Sequence, residues 1–319
     1  MKVNDLLNVE VESIVLGGNG LARVDGRVVF VAGAMPGDLA EARVRRVRRG
    51  YAEARLERLE RPSALRVTPR CPHVPRCGGC RFQELEYAEQ LRQKERQVAE
   101  TLRHLGGIAE PPVRPMVAAP ETFHYRNKME FSFSPGAGGE ARLGLHERGT
   151  FDRVFALETC LLPSTLTVAI VHLTQRFARE HAWRAYHPSR HEGVARFLAV
   201  RHLPLSSQCA VHLIAADDDL PGLAEWARGV AALSGEIRSV TLGLTRSRAN
   251  VAFAEEERVL HGESFIVERL LGLEFEAGSN SFLQTNSRQA EALYTAALEC
   301  AEVGTDDTVL DLYSGTGTL

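Results

Sequence analysis

The sequence predicts a multi-domain chain. A small β-barrel of the oligonucleotide-binding type comes first, then a central α+β domain with a cysteine loop, then the start of a C-terminal α/β sheet of Rossmann type. Three observations predict this. Short alternating runs broken by tight turns fill residues 1–62. Three of the six cysteines fall between Cys71 and Cys80. An apolar run at Thr308–Leu312 opens onto Ser314-Gly-Thr-Gly317. The expected partition is a barrel over 1–62, a cysteine loop over 63–88, and a helix with connector over 89–120. A central domain over 121–275 and the opening of an α/β domain over 276–319 complete it.

In the first segment, Val9-Glu-Val-Glu12 alternates apolar and polar, as a half-buried strand does. Asp25-Gly26 separates two β-rich runs and predicts a two-residue hairpin. Ala34-Met-Pro-Gly-Asp38 turns the chain before a strand over Leu39–Val47. Charge is uneven although the whole chain carries only −3. Ten arginines and three glutamates lie between Arg43 and Arg70, a balance that attracts phosphate and releases counterions. The competing reading is a solvated basic surface.

The spacing C-x5-C-x2-C over Cys71, Cys77 and Cys80 is a ligand pattern, with Gly78-Gly79 letting the backbone turn between thiols. A tetrahedral metal or an iron–sulfur cluster takes four ligands, and Cys160 in Leu157-Glu-Thr-Cys-Leu-Leu-Pro163 is the candidate fourth. Zinc, an iron–sulfur cluster and incidental thiols all remain open, because spacing does not separate them. At 44% hydrophobic and 25% charged residues the chain reads as globular. It lacks an apolar run of about 18 residues and the apolar core of a signal peptide, so it is read as cytoplasmic and off the membrane; a monomer is expected. In that compartment gathered cysteines favour a metal over disulfides.

Downstream, Glu84–Leu105 carries apolar residues at helical spacing, and Pro111, Pro112, Pro115 and Pro120 mark an extended connector. A strand is predicted from Lys128, a helix over Ser164–Phe177, and strands over Arg196–Arg201 and Gln208–Ala215. Arg126 and Lys128 lie where phosphate contact is feasible, although such residues are more often simply exposed. Cys209 and Cys300 are expected as small packed residues. After a helix over Ser287–Val303, the strand ending near Asp311 and its Gly-x-Gly turn describe the first βα unit of a nucleotide- or S-adenosylmethionine-binding sheet. The turn lacks the third glycine of the dinucleotide fingerprint and the lysine of a P-loop.

Four motifs occur in order: the cysteine series, Tyr125-Arg-Asn-Lys-Met-Glu-Phe131, Ser281-Phe-Leu-Gln-Thr-Asn286, and Asp311-Leu-Tyr-Ser-Gly-Thr-Gly317. Together they resemble the RNA uracil-5-methyltransferases. The nearest branch joins a TRAM domain, carried here by Gly18–Arg23 and the Ala34–Asp38 turn, to a [4Fe–4S] cluster and a methyltransferase fold. The resemblance implies methylation of carbon 5 of a uridine in RNA, with 23S ribosomal RNA first and transfer RNA as the alternative. It implies cluster ligation by Cys71, Cys77, Cys80 and Cys160. It places Gln284, Tyr313 and Thr318 at S-adenosylmethionine, with Gly315 giving the backbone close approach. Thr318 departs from the asparagine of some relatives.

The chemistry implied is covalent: a thiolate adds to carbon 6 of uracil, carbon 5 takes the methyl group, and a base removes the carbon 5 proton. In that family the thiol and base follow the glycine turn. No catalytic residue is therefore assigned, and the expectation is of a piece of a longer enzyme, inactive alone. Two rival readings stand: an RNA-binding module with a metal knuckle, and a methyltransferase of another substrate with zinc at the cysteines.

Overall fold

The computed structural model describes residues 1–136 and 138–318. The chain forms two compact units, Met1–Ala118 and Ala119–Leu319. Among the described residues no helix is long and apolar enough to cross a membrane.

The first unit opens with five strands, β1 (Leu6–Ile14), β2 (Gly20–Val24), β3 (Arg27–Ala32), β4 (Leu39–Val47) and β5 (Tyr51–Arg61). They close into a barrel in the order β1-β2-β3-β5-β4. Alternation along the strands turns Val9, Val11, Ala22, Val29, Val31, Ala40, Ala42 and Ala54 inward to fill the barrel. Alanines at many inward positions keep the barrel narrow. Asp25 and Gly26 both take positive φ at the β2–β3 turn, as a type I′ hairpin requires. Closure comes from β3 and β5, which pair parallel with Val28 opposite Tyr51. After the cysteine loop, α1 (Tyr87–His104) docks on β1 through polar groups. Gln93 Oε1 accepts from Ile14 N at 2.8 Å, and Gln97 Nε2 donates to Ile14 O at 2.9 Å.

The second unit is built on a seven-stranded sheet. Its strands are β6 (Lys128–Pro135), β7 (Ala141–His146), β8 (Val154–Ala156), β9 (Ala195–Leu203), β10 (Gln208–Ala215), β11 (Ile237–Leu244) and β12 (Glu256–Gly262). The order is β12-β11-β10-β9-β6-β7-β8. Among the described residues of this sheet only β10 and β11 pair parallel, and α3 (Leu223–Ala231) makes that crossover. α2 (Thr165–Glu180) and α3 cover one face with Phe131, Leu143, Ile170, Leu198, Leu213, Trp226 and Leu242 between them and the sheet. Trp183 and Trp226 meet edge to face there, ring centroids 6.0 Å apart. Their indole N–H groups donate to Pro221 O and to Thr174 Oγ1. Ser164 caps α2 by accepting from Thr167 N.

The opposite face is polar and also largely buried. Lys128 sits opposite Arg201, and His212 lies between Ala199 and Thr241, which puts all three polar residues on that face. A two-stranded ribbon, β13 (Ile266–Leu270) and β14 (Leu273–Ala277), covers part of it, and Leu203, Ala210, Ile266, Ala277 and Leu283 form a small second core. α4 (Ser287–Ala301) follows, with Asn286 as its N-cap.

The fold class read from the sequence needs correction at its C-terminal end. Residues 276–318 do not begin a separate Rossmann-like domain; they belong to the second unit. The expected strand at 308–312 is absent: the stretch carries no strand, and Leu310 is 79% exposed. An apolar run without a neighbouring strand has nothing to satisfy its backbone in extended form. Cys300, expected in a core, is exposed on α4.

Candidate functional site

Three places carry the chemistry that the sequence singles out. The first is the tip of the barrel hairpin between β4 and β5. Of the arginines in the basic window, Arg43 is held by Glu57 at 3.1 Å, Arg58 by Glu60 and Glu41, and Arg66 by Asp38 and Glu84. Arg45, Arg46, Arg48 and Arg49 are exposed and make no ion pair among the described residues. Near them Phe30 and Tyr51, both half-buried, form a tilted ring pair at 5.4 Å. Guanidinium groups without a carboxylate, next to aromatic rings, suit a nucleic-acid backbone and its bases.

The second place is the cysteine loop. Cys71 and Cys77 are buried and Cys80 is half-buried. Gly79 N–H donates to Cys77 Sγ at 3.3 Å and Gln83 Nε2 to Cys80 Sγ at 3.5 Å, while Gln83 Oε1 accepts from Cys71 N at 2.9 Å. Gln83 thus ties both ends of the loop together. Two N–H donors reach sulfur in the loop, so the donor set fits a sulfur-ligated group. Among the described residues no group of three or more His, Cys, Asp or Glu side chains is gathered to hold a metal ion. Cys160 is buried in the second unit, in the loop ahead of α2.

The third place is where the Ser281–Ser287 segment meets the glycine turn. Thr316 Oγ1 donates to Phe282 O at 3.0 Å, and Thr318 Oγ1 is hydrogen-bonded to Tyr294 Oη of α4 at 2.9 Å. Gly315 (φ 57°) and Gly317 (φ 72°) take left-handed conformations that a side chain would strain. Asp311 Oδ1 accepts from Tyr313 N, folding the turn on itself. The structure therefore brings the glycine turn to the segment that carries Gln284 through Thr316, and sets Thr318 against α4. Tyr313 stands 96% exposed.

The Gln284 segment is fastened by its backbone. Asn127 Nδ2 donates to Gln284 O at 2.8 Å, Asn127 N–H donates to Thr285 O at 2.8 Å, and Arg201 Nη2 donates to Ser281 O. The Gln284 side chain is half-buried and has no hydrogen-bond partner among the described residues. Arg201 is 1% exposed, and burial pulls its guanidinium down to about 10, which leaves it charged at neutral pH. Next to it, burial and then the charges of Arg201 and Lys128 push His212 down to about 3, so its ring is neutral, with Nδ1 hydrogen-bonded to Thr241 Oγ1 at 2.7 Å. Glu268, buried beneath the segment, accepts from Ser287 Oγ, and burial raises its carboxyl above the ordinary range. Sequence reasoning named Gln284 but missed Asn127, Arg201 and Glu268. The only available signal was the Tyr125–Phe131 motif, which does not say what Asn127 touches.

Cys209 is no nucleophile. It is fully buried in β10, and burial pushes its thiol up to about 12.

The class of protein to which this barrel and the unit after it belong follows from comparison with known proteins. A TRAM domain model matches residues 2–56. Two proteins described as uncharacterized RNA methyltransferases align along the chain. The one from Chlorobaculum tepidum is 36% identical over 92% of this chain and 64% of its own length. The one from Gloeobacter violaceus is 33% identical over 98% of this chain and 68% of its own length. The chain belongs to the RNA methyltransferase family. Its fold is also similar to that of Pyrococcus abyssi tRNA (uracil-54, C5)-methyltransferase, solved with S-adenosyl-L-homocysteine. The TM-score is 0.72 at 25% identity, covering 97% of this chain and 68% of that one.

The likeness runs through nearly the whole chain rather than breaking off at residue 276. That coverage overturns the expected fold class, with a last domain only just begun, and gives the expected inactivity no support. The chain spans about two thirds of the length of these relatives.

Proposed function

We propose that the protein transfers a methyl group from S-adenosylmethionine to carbon 5 of a uridine in RNA. The observation that carries this reading is the meeting of the Ser281–Ser287 segment with the glycine turn, through Thr316 and Phe282, in a chain of the RNA methyltransferase family. S-adenosylmethionine supplies an electrophilic methyl group. The chain's own residues bind and orient it. Gln284 offers its unused amide to a polar end of the cofactor, Gly315 lets backbone approach, Thr318 adds a hydroxyl steadied by Tyr294, and Tyr313 offers an exposed ring. Arg45, Arg46, Arg48 and Arg49 hold RNA phosphates. The target base has to leave its stack, which favours a loop or single-stranded site.

In the same reading Cys71, Cys77, Cys80 and Cys160 ligate a [4Fe–4S] cluster. The cluster stabilises the loop or positions RNA and takes no part in methyl transfer. Ribosomal RNA, 23S in particular, is the first substrate. Transfer RNA is the second, favoured by the similarity to the Pyrococcus abyssi enzyme.

The test incubates the protein with S-adenosylmethionine carrying a deuterated methyl group and with separated ribosomal and transfer RNA, followed by nucleoside mass spectrometry. Labelled 5-methyluridine from ribosomal RNA is expected. Label in transfer RNA alone selects the second substrate, and label on any other nucleoside overturns the reading.

A further inference from the structure

We propose that Asn127 is a positioning residue for the cofactor-binding segment, an inference that rests on Gln284 being a cofactor contact. Asn127 lies one residue ahead of β6 and is buried. Its backbone works in two directions. The carbonyl accepts from His202 N at 2.8 Å, continuing the β6–β9 pairing, and the N–H donates to Thr285 O at 2.8 Å. Its side chain spends both amide hydrogens on the same segment, one on Gln284 O and one on Ser287 Oγ, each at 2.8 Å. Ser287 Oγ in turn donates to the buried Glu268 carboxylate.

Asn127 is therefore an extension of the most rigid part of the second unit, the centre of its sheet. It holds the Gln284 carbonyl and, just beyond it, the Ser287 hydroxyl, from 157 and 160 positions away in the chain. Asn286 then caps α4 by accepting from Gln289 N at 3.1 Å, so the helix start is fixed immediately beyond the clamp. Arg201, also from the sheet, holds the upstream end at Ser281 O, and Thr316 takes Phe282 O. With carbonyls 281, 282, 284 and 285 all engaged, the segment has little backbone freedom left, while the Gln284 amide has no partner among the described residues. A ligand contact made from a backbone fixed in advance avoids the ordering cost of binding.

The chemistry at position 127 is narrow. Two donors on one planar group are needed, with the donor aimed at a carbonyl. An aspartate has the same shape but places an acceptor against Gln284 O. A serine retains one donor, and an alanine none.

The test compares the intact chain with Asn127→Ala, the milder Asn127→Ser, and Thr174→Val. Thr174→Val removes the partner of the Trp226 indole on the opposite face of the sheet and serves as a destabilised control. Titration calorimetry with S-adenosylhomocysteine is read beside thermal unfolding. Asn127→Ala should raise the Kd about tenfold, Asn127→Ser by less, and Thr174→Val should leave it unchanged despite a comparable loss of melting temperature. A Kd that rises equally in the control, or that stays unchanged in both Asn127 variants, overturns the positioning role while leaving the cofactor reading intact. A parent chain that binds no S-adenosylhomocysteine removes the cofactor reading, and the proposal with it.

Discussion

Arg66 grips Asp38 with two nitrogens, Nη2 to Oδ2 at 2.7 Å and Nε to Oδ1 at 2.9 Å, although the Asp38 side chain is completely buried. Each carboxylate oxygen also takes a backbone donor, Met35 N on one and Ser63 N on the other. The pair fixes the end of the barrel to the stretch that leads into the cysteine loop. Removing one partner strands a buried charge. Arg66→Met should cost the first unit about 3 kcal/mol, toward the low end for broken buried pairs because the two backbone donors remain. Hydrogen exchange in peptides from β1 to β5 is the measurement, and undiminished protection would show that the backbone donors suffice.

The hairpin tip makes a separate prediction. Replacing Arg45, Arg46, Arg48 and Arg49 with serine removes four exposed charges without touching the ion pairs of Arg43, Arg58 or Arg66. RNA affinity should fall, and the dependence of log Kd on log salt should flatten by roughly 0.7 for each phosphate that is no longer neutralised. Equal slopes for parent and variant would identify the tip as solvated surface.

For the cysteine loop, protein purified without oxygen should be brown with broad visible absorption. Cys80→Ser or Cys160→Ser should reduce both iron and sulfide. Bound zinc in place of iron, measured by elemental analysis, rules the cluster out.

Gln284→Ala tests the cofactor interaction itself. Losing one hydrogen bond to a buried ligand group costs on the order of 1–3 kcal/mol, or roughly 5- to 150-fold in S-adenosylmethionine affinity, with RNA affinity little changed. Tyr313→Ala should weaken the cofactor by a similar amount, because ring packing on the ligand disappears. Undiminished calorimetric affinity in both variants would assign the glycine turn to another ligand.

His212 gives the second unit an acid sensitivity. Its folded pKa of about 3 lies below the ordinary histidine value of about 6.5, so below that value the unfolded chain takes up a proton that the folded one refuses. Stability is therefore full above about 6.5 and is lost as pH falls toward 3, by up to about 1.4 kcal/mol per pH unit. His212→Gln, which cannot titrate but retains a partner for Thr241, should flatten the melting temperature across that window. Parallel profiles for parent and variant would locate the acid response elsewhere.

How much of this was legible depended on how local the cause was. Leu39–Val47 turns Ala40, Ala42 and Val44 inward at every second position and forms a strand over those residues, because one face of a barrel strand fills the interior. The Asp25-Gly26 hairpin was legible for a similar reason: the two residues dictate their own turn. β9 and β10 read as apolar runs, yet nothing in them announced that Arg201 and His212 would be buried. Their cover is the ribbon at 266–277 and the segment after it, remote in sequence. The misread strand at 308–312 shows the converse. Its composition is right, but a strand exists only with a neighbour. At the site, the glycine turn stood out by residue type and Gln284 came from the family resemblance, whereas the Asn127 clamp reaches across 157 positions and has no local signature.

Trp183 and Trp226 are the two tryptophans of the chain, and both lie in the helix-covered core of the second unit. Indole fluorescence consequently originates in one unit. The barrel and cysteine loop can open, bind or lose a cluster ligand without changing the emission of an indole in their own core, because they contain none. A melting curve followed by tryptophan emission describes residues 119–318, and the first unit needs an indole engineered into it, with Tyr51 beside the arginine tip as the natural position to replace.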